Sequence, residues 1–120
     1  MADKIHTTVM WLEDTEEHEV IPAPADGKVI MPLTMTCKNV TGNSQATLDV
    51  FLKETPGEPL NDEEDYSIDT VAIDAGDKWA LDRDRKVAIA STAIAWYVQL
   101  SAEPTTKIPF TVSWLERTNG

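Results

Sequence analysis

Residues 93–102 read Ala-Ile-Ala-Trp-Tyr-Val-Gln-Leu-Ser-Ala, and this stretch decides the fold. Strict alternation in a run with β-branched and aromatic residues is typical of a β-strand with one face in a core. The core face would carry Ile94, Trp96, Val98 and Leu100. The opposite face would carry Ala95, Tyr97, Gln99 and Ser101.

The rest of the chain repeats this alternation between turn signals rich in Pro, Gly, Asn and Asp. We predict further strands at residues 4–12, 19–21, 28–40, 45–54, 66–73, 78–81, 86–91 and 107–116. With about eight strands and no helical pattern of two turns, the sequence predicts an all-β antiparallel β-sandwich, either jelly-roll or immunoglobulin-like. Alternation identifies strands but not their pairing, so both topologies stay open.

The length of 120 residues suits one domain over residues 1–120, with residues 1–8 as an N-terminal extension. Three local irregularities are expected within it. Pro32 cannot donate to a ladder, so its strand lies at an edge or is bulged there. An extra residue near Asp69 would form a second bulge. Asp14 and Glu17 have capping-box spacing, which allows one helical turn.

The aromatic side chains divide by phase. Trp79, Trp96 and Trp114 occupy in-phase strand positions and are expected in the core, whereas Trp11 beside an acidic run would be half-exposed. Residues 4–12 place Ile5, Thr7, Val9 and Trp11 on one side. Phe51 falls on the polar face of its strand, so it is either a partner contact or cover beneath a neighbouring loop.

The chain is strongly acidic, with ten Lys and Arg against 21 Asp and Glu and a net charge of −11. Such a charge repels nucleic-acid phosphates and anionic lipid heads, so we expect neither as a partner. No apolar run approaches the ~20 residues that span a bilayer, and the first residues lack the apolar core of a signal peptide. A soluble protein made inside the cell is predicted.

Residues that could carry chemistry are few. Cys37 lies in an apolar alternating run and is expected as a small buried hydrophobe. His6 faces away from Ile5 and is expected to be exposed, as is His18 in its acidic loop, whose spacing matches no zinc pattern. Residues 61–65 supply oxygen ligands for calcium but lack the spacing of an EF-hand loop.

No catalytic constellation, phosphate loop or Cys/His pair stands out. We therefore expect no enzymatic activity, no catalytic residues, no cofactor and no metal site. Asn39-Val40-Thr41 matches the N-glycosylation sequon, which carries little weight without a secretory segment.

Four stretches across residues 21–112 carry a resemblance to a known group of proteins. They read Ile21-Pro-Ala-Pro-Ala-Asp-Gly-Lys, Met35-Thr-Cys-Lys-Asn-Val-Thr-Gly-Asn-Ser-Gln-Ala-Thr-Leu-Asp-Val-Phe-Leu, Val71-Ala-Ile-Asp-Ala-Gly-Asp-Lys-Trp and Val87-Ala-Ile-Ala-Ser-Thr-Ala-Ile-Ala-Trp-Tyr-Val. This pattern, over about three-quarters of the chain, resembles small β-sandwich structural proteins of tailed bacteriophage virions, which decorate capsids or line the neck and tail.

The resemblance implies a non-enzymatic virion protein assembled in the host cytoplasm. The leading interpretation is a capsid cement or decoration protein that binds an assembled shell through the major capsid protein or another virion protein. A neck or tail component is the alternative. A homo-oligomer, a trimer or a ring, is expected, with residues 1–8 and 55–65 as the natural contacts.

Two other classes stay open from the residues alone. A carbohydrate- or receptor-binding module would need surface aromatics, for which Tyr97, Phe51 and Trp11 are the candidates. A small hydrolase would need a cleft with carboxylates about 5 to 10 Å apart.

Overall fold

A computed structural model of the chain describes residues 3–41, 44–54 and 66–118. These residues form eight strands and a single 3-10 turn, Arg83–Arg85. The strands are β1 Lys4–Leu12, β2 His18–Ile21, β3 Lys28–Lys38, β4 Ala46–Glu54, β5 Tyr66–Ile73, β6 Lys78–Ala80, β7 Ile94–Leu100 and β8 Ile108–Thr118. The predicted all-β class and strand number are confirmed.

The strands form two four-stranded antiparallel sheets. Sheet A has the order β1-β8-β3-β6, and sheet B has the order β2-β7-β4-β5. The chain is thus wound as one folded ribbon in which β1 pairs with β8, β2 with β7, β3 with β6 and β4 with β5. This nested pairing is that of a jelly roll. Strand order therefore decides between the two topologies that the sequence left open.

The core lies between the inner faces of the two sheets. Its largest fully buried side chains are Trp96 of β7 and Phe110 of β8, each with no exposed surface. Trp79 and Trp114, each 8% exposed, pack in the same cluster. The prediction of three core tryptophans is confirmed. These large rings fill the layer of about 10 Å between packed sheets.

Strand β7 differs from its prediction because both of its faces are buried. Trp96, Val98 and Leu100 face the main core as predicted, but Ala95 and Tyr97 on the opposite face are also buried, at 0% and 9% exposure. β7 lies inside sheet B between β2 and β4, and other segments of the chain cover its outer face. An alternating pattern reports side-chain polarity, and Ala and Tyr both tolerate burial.

Both predicted bulges are present. The register of β3 against β8 shifts between Pro32 and Thr34, and β6 pairs with β3 only at residues 36–38, so Pro32 lies both at a bulge and on a locally unpaired edge of β3. On β5, Val50 pairs with Asp69 and Phe51 pairs with Ser67, which leaves Ile68 as the extra residue. The bulge in β3 also reverses its phase, so the inward residues are Ile30 and Pro32 before it and Met35 and Cys37 after it.

Strand β1 presents its alternating residues with the opposite orientation from that expected. Ile5, Val9 and Trp11 point outward and are 69%, 59% and 57% exposed. The expected half-exposure of Trp11 is confirmed, and His6, expected to be exposed, is partly buried, with 40% of its side-chain surface exposed. His6 stacks on Trp114 with ring centroids 5.1 Å apart and bonds Glu116 at 3.1 Å. Residues 4–8 of the predicted extension belong to this paired strand.

Two further local predictions are wrong. Residues 86–91 form no strand and contribute one isolated bridge, Ile30 to Ile89, because their short apolar run lies beyond the end of β6. Residues 13–17 form a bend rather than a helical turn. The Asp14 side chain accepts the Glu16 backbone N–H at 3.1 Å, a local turn that competes with helix formation.

A buried amide joins one end of the two sheets. The Asn39 side-chain NH₂ donates to the carbonyls of Ser44 and Ile73, each at 2.8 Å. Its oxygen accepts the Thr41 backbone N–H at 3.0 Å and lies 2.6 Å from the Thr41 hydroxyl. Asn39 has no exposed surface. Asn39 of the sequon therefore has a structural role, since its side-chain nitrogen is buried and donates two hydrogen bonds in the fold.

Candidate interaction surface

Much of the outer face of sheet A is open to solvent and free of charged side chains. This part of the face consists of three cross-strand rows contributed by β1, β8 and β3: Ile5–Leu115–Met31, Thr7–Ser113–Thr34 and Val9–Thr111–Thr36. Trp11 and Pro109 extend it as a fourth pair. Ile5, Val9, Trp11 and Met31 are among the most exposed large apolar side chains of the described residues. We call these eleven residues the bare face.

No residue of the bare face is charged, although 31 of the 120 residues of the chain are Asp, Glu, Lys or Arg. Hydroxyl groups supply its polarity; the Thr34 and Ser113 hydroxyls lie 2.7 Å apart. Charges border it at both ends: Arg117 lies 3.7 Å from Asp3 at one end, and Lys38 and Lys78 lie on the same side of the sheet beyond Thr36 at the other. Another protein can approach such a face without desolvating a charge, which is the usual character of the centre of a protein–protein interface.

The size of the bare face is that of a functional patch. Seven residues of β1, from Ile5 to Trp11, span about 24 Å, and three strands at a spacing of ~4.8 Å span about 14 Å. The resulting area of roughly 340 Å², which includes five Ser and Thr residues, is comparable with the largest apolar patches on monomers, which are often functional. It is less than half of what each partner contributes to a stable standard-size interface. Several copies, or further contacts, would be needed for tight attachment.

The outer face of sheet B is covered instead. Phe51 and Tyr97 stack with ring centroids 5.9 Å apart and form a second buried cluster with Ala95, against which Ala23 packs. Phe51 is 5% exposed. Of the two roles that the sequence allowed for Phe51, cover by a neighbouring segment is the one observed. Sheet B therefore offers no comparable apolar surface in the described residues.

The bend at residues 13–17 packs against the outer face of sheet B and covers part of it. The Gln99 amide donates to the Thr15 carbonyl at 2.9 Å, and Lys53 bonds Glu17. His18, expected to be exposed, begins β2 and bonds Asp14 at 2.7 Å, which lowers the pKa of the Asp14 carboxyl. Here the acidic run that suggested a metal site instead holds the bend against sheet B.

The described residues bring together no group of three His, Cys, Asp or Glu side chains that could hold a metal ion. The candidate calcium ligands at residues 61–65 and the candidate contact loop at residues 55–65 lie outside the described residues, as do residues 1 and 2. In the part of the chain that is described, no helix has the length and apolar character needed to cross a membrane.

The aromatic side chains do not form a carbohydrate platform. Of the three candidates, Tyr97 and Phe51 are buried in the second cluster, and only Trp11 is exposed. Burial, reinforced by the neighbouring Glu19, raises the pKa of the Tyr97 phenol. A polar depression at one end of the sandwich is lined by residues 41, 44–47 and 101–105, none of them aromatic.

Cys37 is 1% exposed, so the predicted buried position is confirmed, and burial raises the pKa of its thiol to about 12. We expect Ellman's reagent at pH 8 to label the native protein at least about a hundredfold more slowly than the urea-unfolded protein, because the thiolate is the nucleophile. Free cysteine with and without urea controls for the reagent. Equal rates in the two states would contradict the buried position.

The fold is similar to those of known proteins, although the sequence is not. No protein-family model matches the chain, and no curated protein matches it. A chain of the Bacillus endospore appendages, a family of disulfide-linked pili, superposes with a TM-score of 0.54 at 7% identity, covering 99% of this chain and 88% of that chain. A chain of the acid-stable capsid of Helicobacter pylori bacteriophage KHP30 superposes with a TM-score of 0.54 at 6% identity, covering 97% and 87%.

The class is thus a two-sheet β-sandwich with jelly-roll strand order, a fold shared with chains of a pilus and of a phage capsid. At such identities the likeness concerns the fold alone, so the role of this chain has to be argued from its own surface. The sequence did not predict the bare face because alternation assigns Ile5, Val9 and Met31 to one side of their own strands but does not show which strands lie side by side. The sequence did contain a signal for it, because residues 5–12 carry no Asp, Glu, Lys or Arg.

Proposed function

We propose that this chain is a non-enzymatic structural protein of a tailed-phage virion that cements the capsid by docking on the assembled shell through the bare face. The observation that carries the proposal is the contrast between the two sheets. The bare face of sheet A is open and uncharged, whereas the aromatic part of the outer face of sheet B, at Phe51 and Tyr97, is covered by the chain's own segments. The shared fold with a phage capsid chain is consistent with the proposal.

The mechanism requires no chemistry beyond binding. A protein that binds the assembled shell but not the free subunits stabilises the shell by mass action. The bare face of roughly 340 Å² is small for one isolated complex, but many copies on a symmetric lattice each contribute a modest interface. The partner would be the major capsid protein or another virion protein, and the protein would be located in the virion, assembled in the host cytoplasm.

Cosedimentation tests this role directly. Purified chain would be mixed with a panel of empty recombinant tailed-phage shells, unexpanded and expanded, and with unassembled subunits of the same capsid proteins. We expect saturable binding to an expanded shell, weaker binding to the unexpanded form and none to subunits. Failure to bind any shell of the panel contradicts capsid cementing. Binding to isolated tails would instead assign the chain to the neck or tail.

A matched pair of variants tests the docking face. Thr34→Lys places a charge at the centre of the bare face, and Thr70→Lys places the same charge on the exposed side of β5 in sheet B. We expect Thr34→Lys to weaken shell binding about tenfold or more, because the ammonium loses water on docking. Thr70→Lys should bind as the unaltered chain does. Equal binding of both variants would show that docking uses another surface.

A further inference from the structure

The free edge of β1 differs from the other sheet edges of the described residues. β6 has only three residues, β2 has four and a register shift, and β5 is bulged at Ile68, whose carbonyl accepts a bond from Arg85. Short length, bulges and side-chain cover are the ordinary means of protecting an edge. β1 has none of them: it runs for nine residues and pairs with β8 without a register shift.

The hydrogen bonds of β3 show which way its backbone groups point. Ile30 exchanges two bonds with Ile89, N–H to carbonyl in both directions at 2.9 Å, so its polar groups point away from β8. The backbone N–H and C=O groups of successive residues point to opposite sides of an antiparallel strand, so the N–H and C=O of Met31 point towards β8. Met31 lies opposite Leu115, and the groups of Leu115 therefore point back towards β3.

The same alternation applies along β8 and then along β1. The backbone N–H and C=O of Trp114 point towards β1, where His6 lies opposite, and the backbone N–H and C=O of His6 point back towards β8. The neighbouring residues of β1 must then direct their N–H and C=O groups to the open edge. These residues, with outward side chains on the bare face, are Ile5, Thr7, Val9 and Trp11.

We propose that this edge pairs with β1 of a second copy of the chain, antiparallel and about a two-fold axis, to join two A sheets into one eight-stranded sheet. The register centred on Thr8 uses every free group, since Ile5 then lies opposite Trp11 and Thr7 lies opposite Val9 of the second copy. Four such pairs form about eight backbone hydrogen bonds. A two-fold contact is self-complementary and closes at two copies, so a trimer or ring would need a different surface.

Charge favours a second copy as the occupant of this edge. Two chains of net charge −11 repel each other over most approaches. Residues 5–12 carry no Asp, Glu, Lys or Arg, so this edge avoids like-charge contact. In the proposed register, Lys4 of each copy lies opposite Leu12 of the other, and outside the uncharged stretch Asp3 lies opposite Glu13. Both acids are already paired within their own chain, Asp3 with Arg117 and Glu13 with Lys107, which reduces the repulsion between them.

A proline on the free edge tests the pairing. Val9→Pro removes an N–H that has no partner within the sheet, and proline is accepted on edge strands at such positions. Val87→Pro is the matched control, at an exposed residue outside the strands. In sedimentation at roughly 5 to 500 µM, we expect unaltered chain and Val87→Pro to shift from one to two chains and Val9→Pro to stay at one. A folded Val9→Pro that still dimerises overturns the proposal.

Amide exchange of the unaltered chain keeps the test independent of whether Val9→Pro folds. The amides of His6, Thr8 and Met10 should be protected at every concentration, because they bond β8. The amides of Ile5, Thr7, Val9 and Trp11 should gain protection only as concentration rises. A chain that stays monomeric, with those four amides unprotected, overturns self-pairing and makes an extended segment of another protein the occupant to test. Dimerisation through β1 and shell binding are measured separately, so either can fail alone.

Discussion

Replacing Trp96 by alanine is expected to lower the free energy of unfolding by about 3 to 5 kcal/mol, the largest effect of any single substitution considered for this chain. Trp96 has no exposed surface and lies on β7 in the middle of sheet B. Its removal loses the transfer energy of the indole and leaves a cavity that two hydrogen-bonded sheets cannot close. Since domains of this size are stable by about 5 to 15 kcal/mol, the variant should approach the limit of folding.

Trp11→Ala is the matched control, because the same atoms are removed from a side chain that is 57% exposed. We expect this change to cost less than about 1 kcal/mol. Urea unfolding followed by far-ultraviolet circular dichroism measures both variants without depending on tryptophan emission. Similar midpoints for the two variants would mean that β7 does not centre the core and would contradict the sandwich described above.

Asn39→Ala is expected to cost about 3 kcal/mol, more than the loss of an amide would suggest from its volume. The change leaves the Ile73 carbonyl without its amide donor and the Thr41 N–H without its acceptor in a site closed to solvent, while the Ser44 carbonyl keeps the Thr41 hydroxyl as a donor. Each buried polar group left unsatisfied costs about 1 to 3 kcal/mol, and neighbouring losses are not fully additive.

Gln45→Ala controls for the amide itself. The Gln45 side chain donates to Asp74 at 2.8 Å on the exposed surface, where water replaces a lost partner. We expect a loss below about 1 kcal/mol for this variant, measured by the same urea unfolding. If Asn39→Ala were as mild as Gln45→Ala, the hydrogen-bond cluster at this end of the sandwich would be structurally unimportant.

Much of the fold was predictable from local pattern. Strand positions, the core tryptophans and the bulge at Pro32 follow from side-chain period and from the missing proline N–H, both of which act within a few residues. The strand expected at residues 86–91 failed because alternation there is short and its partner is lost where β6 ends after three residues. The partial burial of His6 was not predicted because its stacking partner, Trp114, lies 108 positions away in the sequence.

The bare face shows why surfaces are harder to predict than strands. Ile5 and Met31 become neighbours only because β8 pairs with both β1 and β3. Likewise, Phe51 is buried and Trp11 is exposed for a reason absent from their own strands: residues 13–17 and Ala23 pack over sheet B and not over sheet A. No local propensity encodes which of two sheets a connecting segment covers.

The sequence by itself determined that this chain is an acidic all-β domain, because composition and period-two alternation are properties of each segment alone. Tertiary structure decided the jelly-roll pairing, the side of β1 that faces water and the open edge of β1. These features arise from contacts between residues far apart along the chain, where the burial of one face is settled by what packs against it.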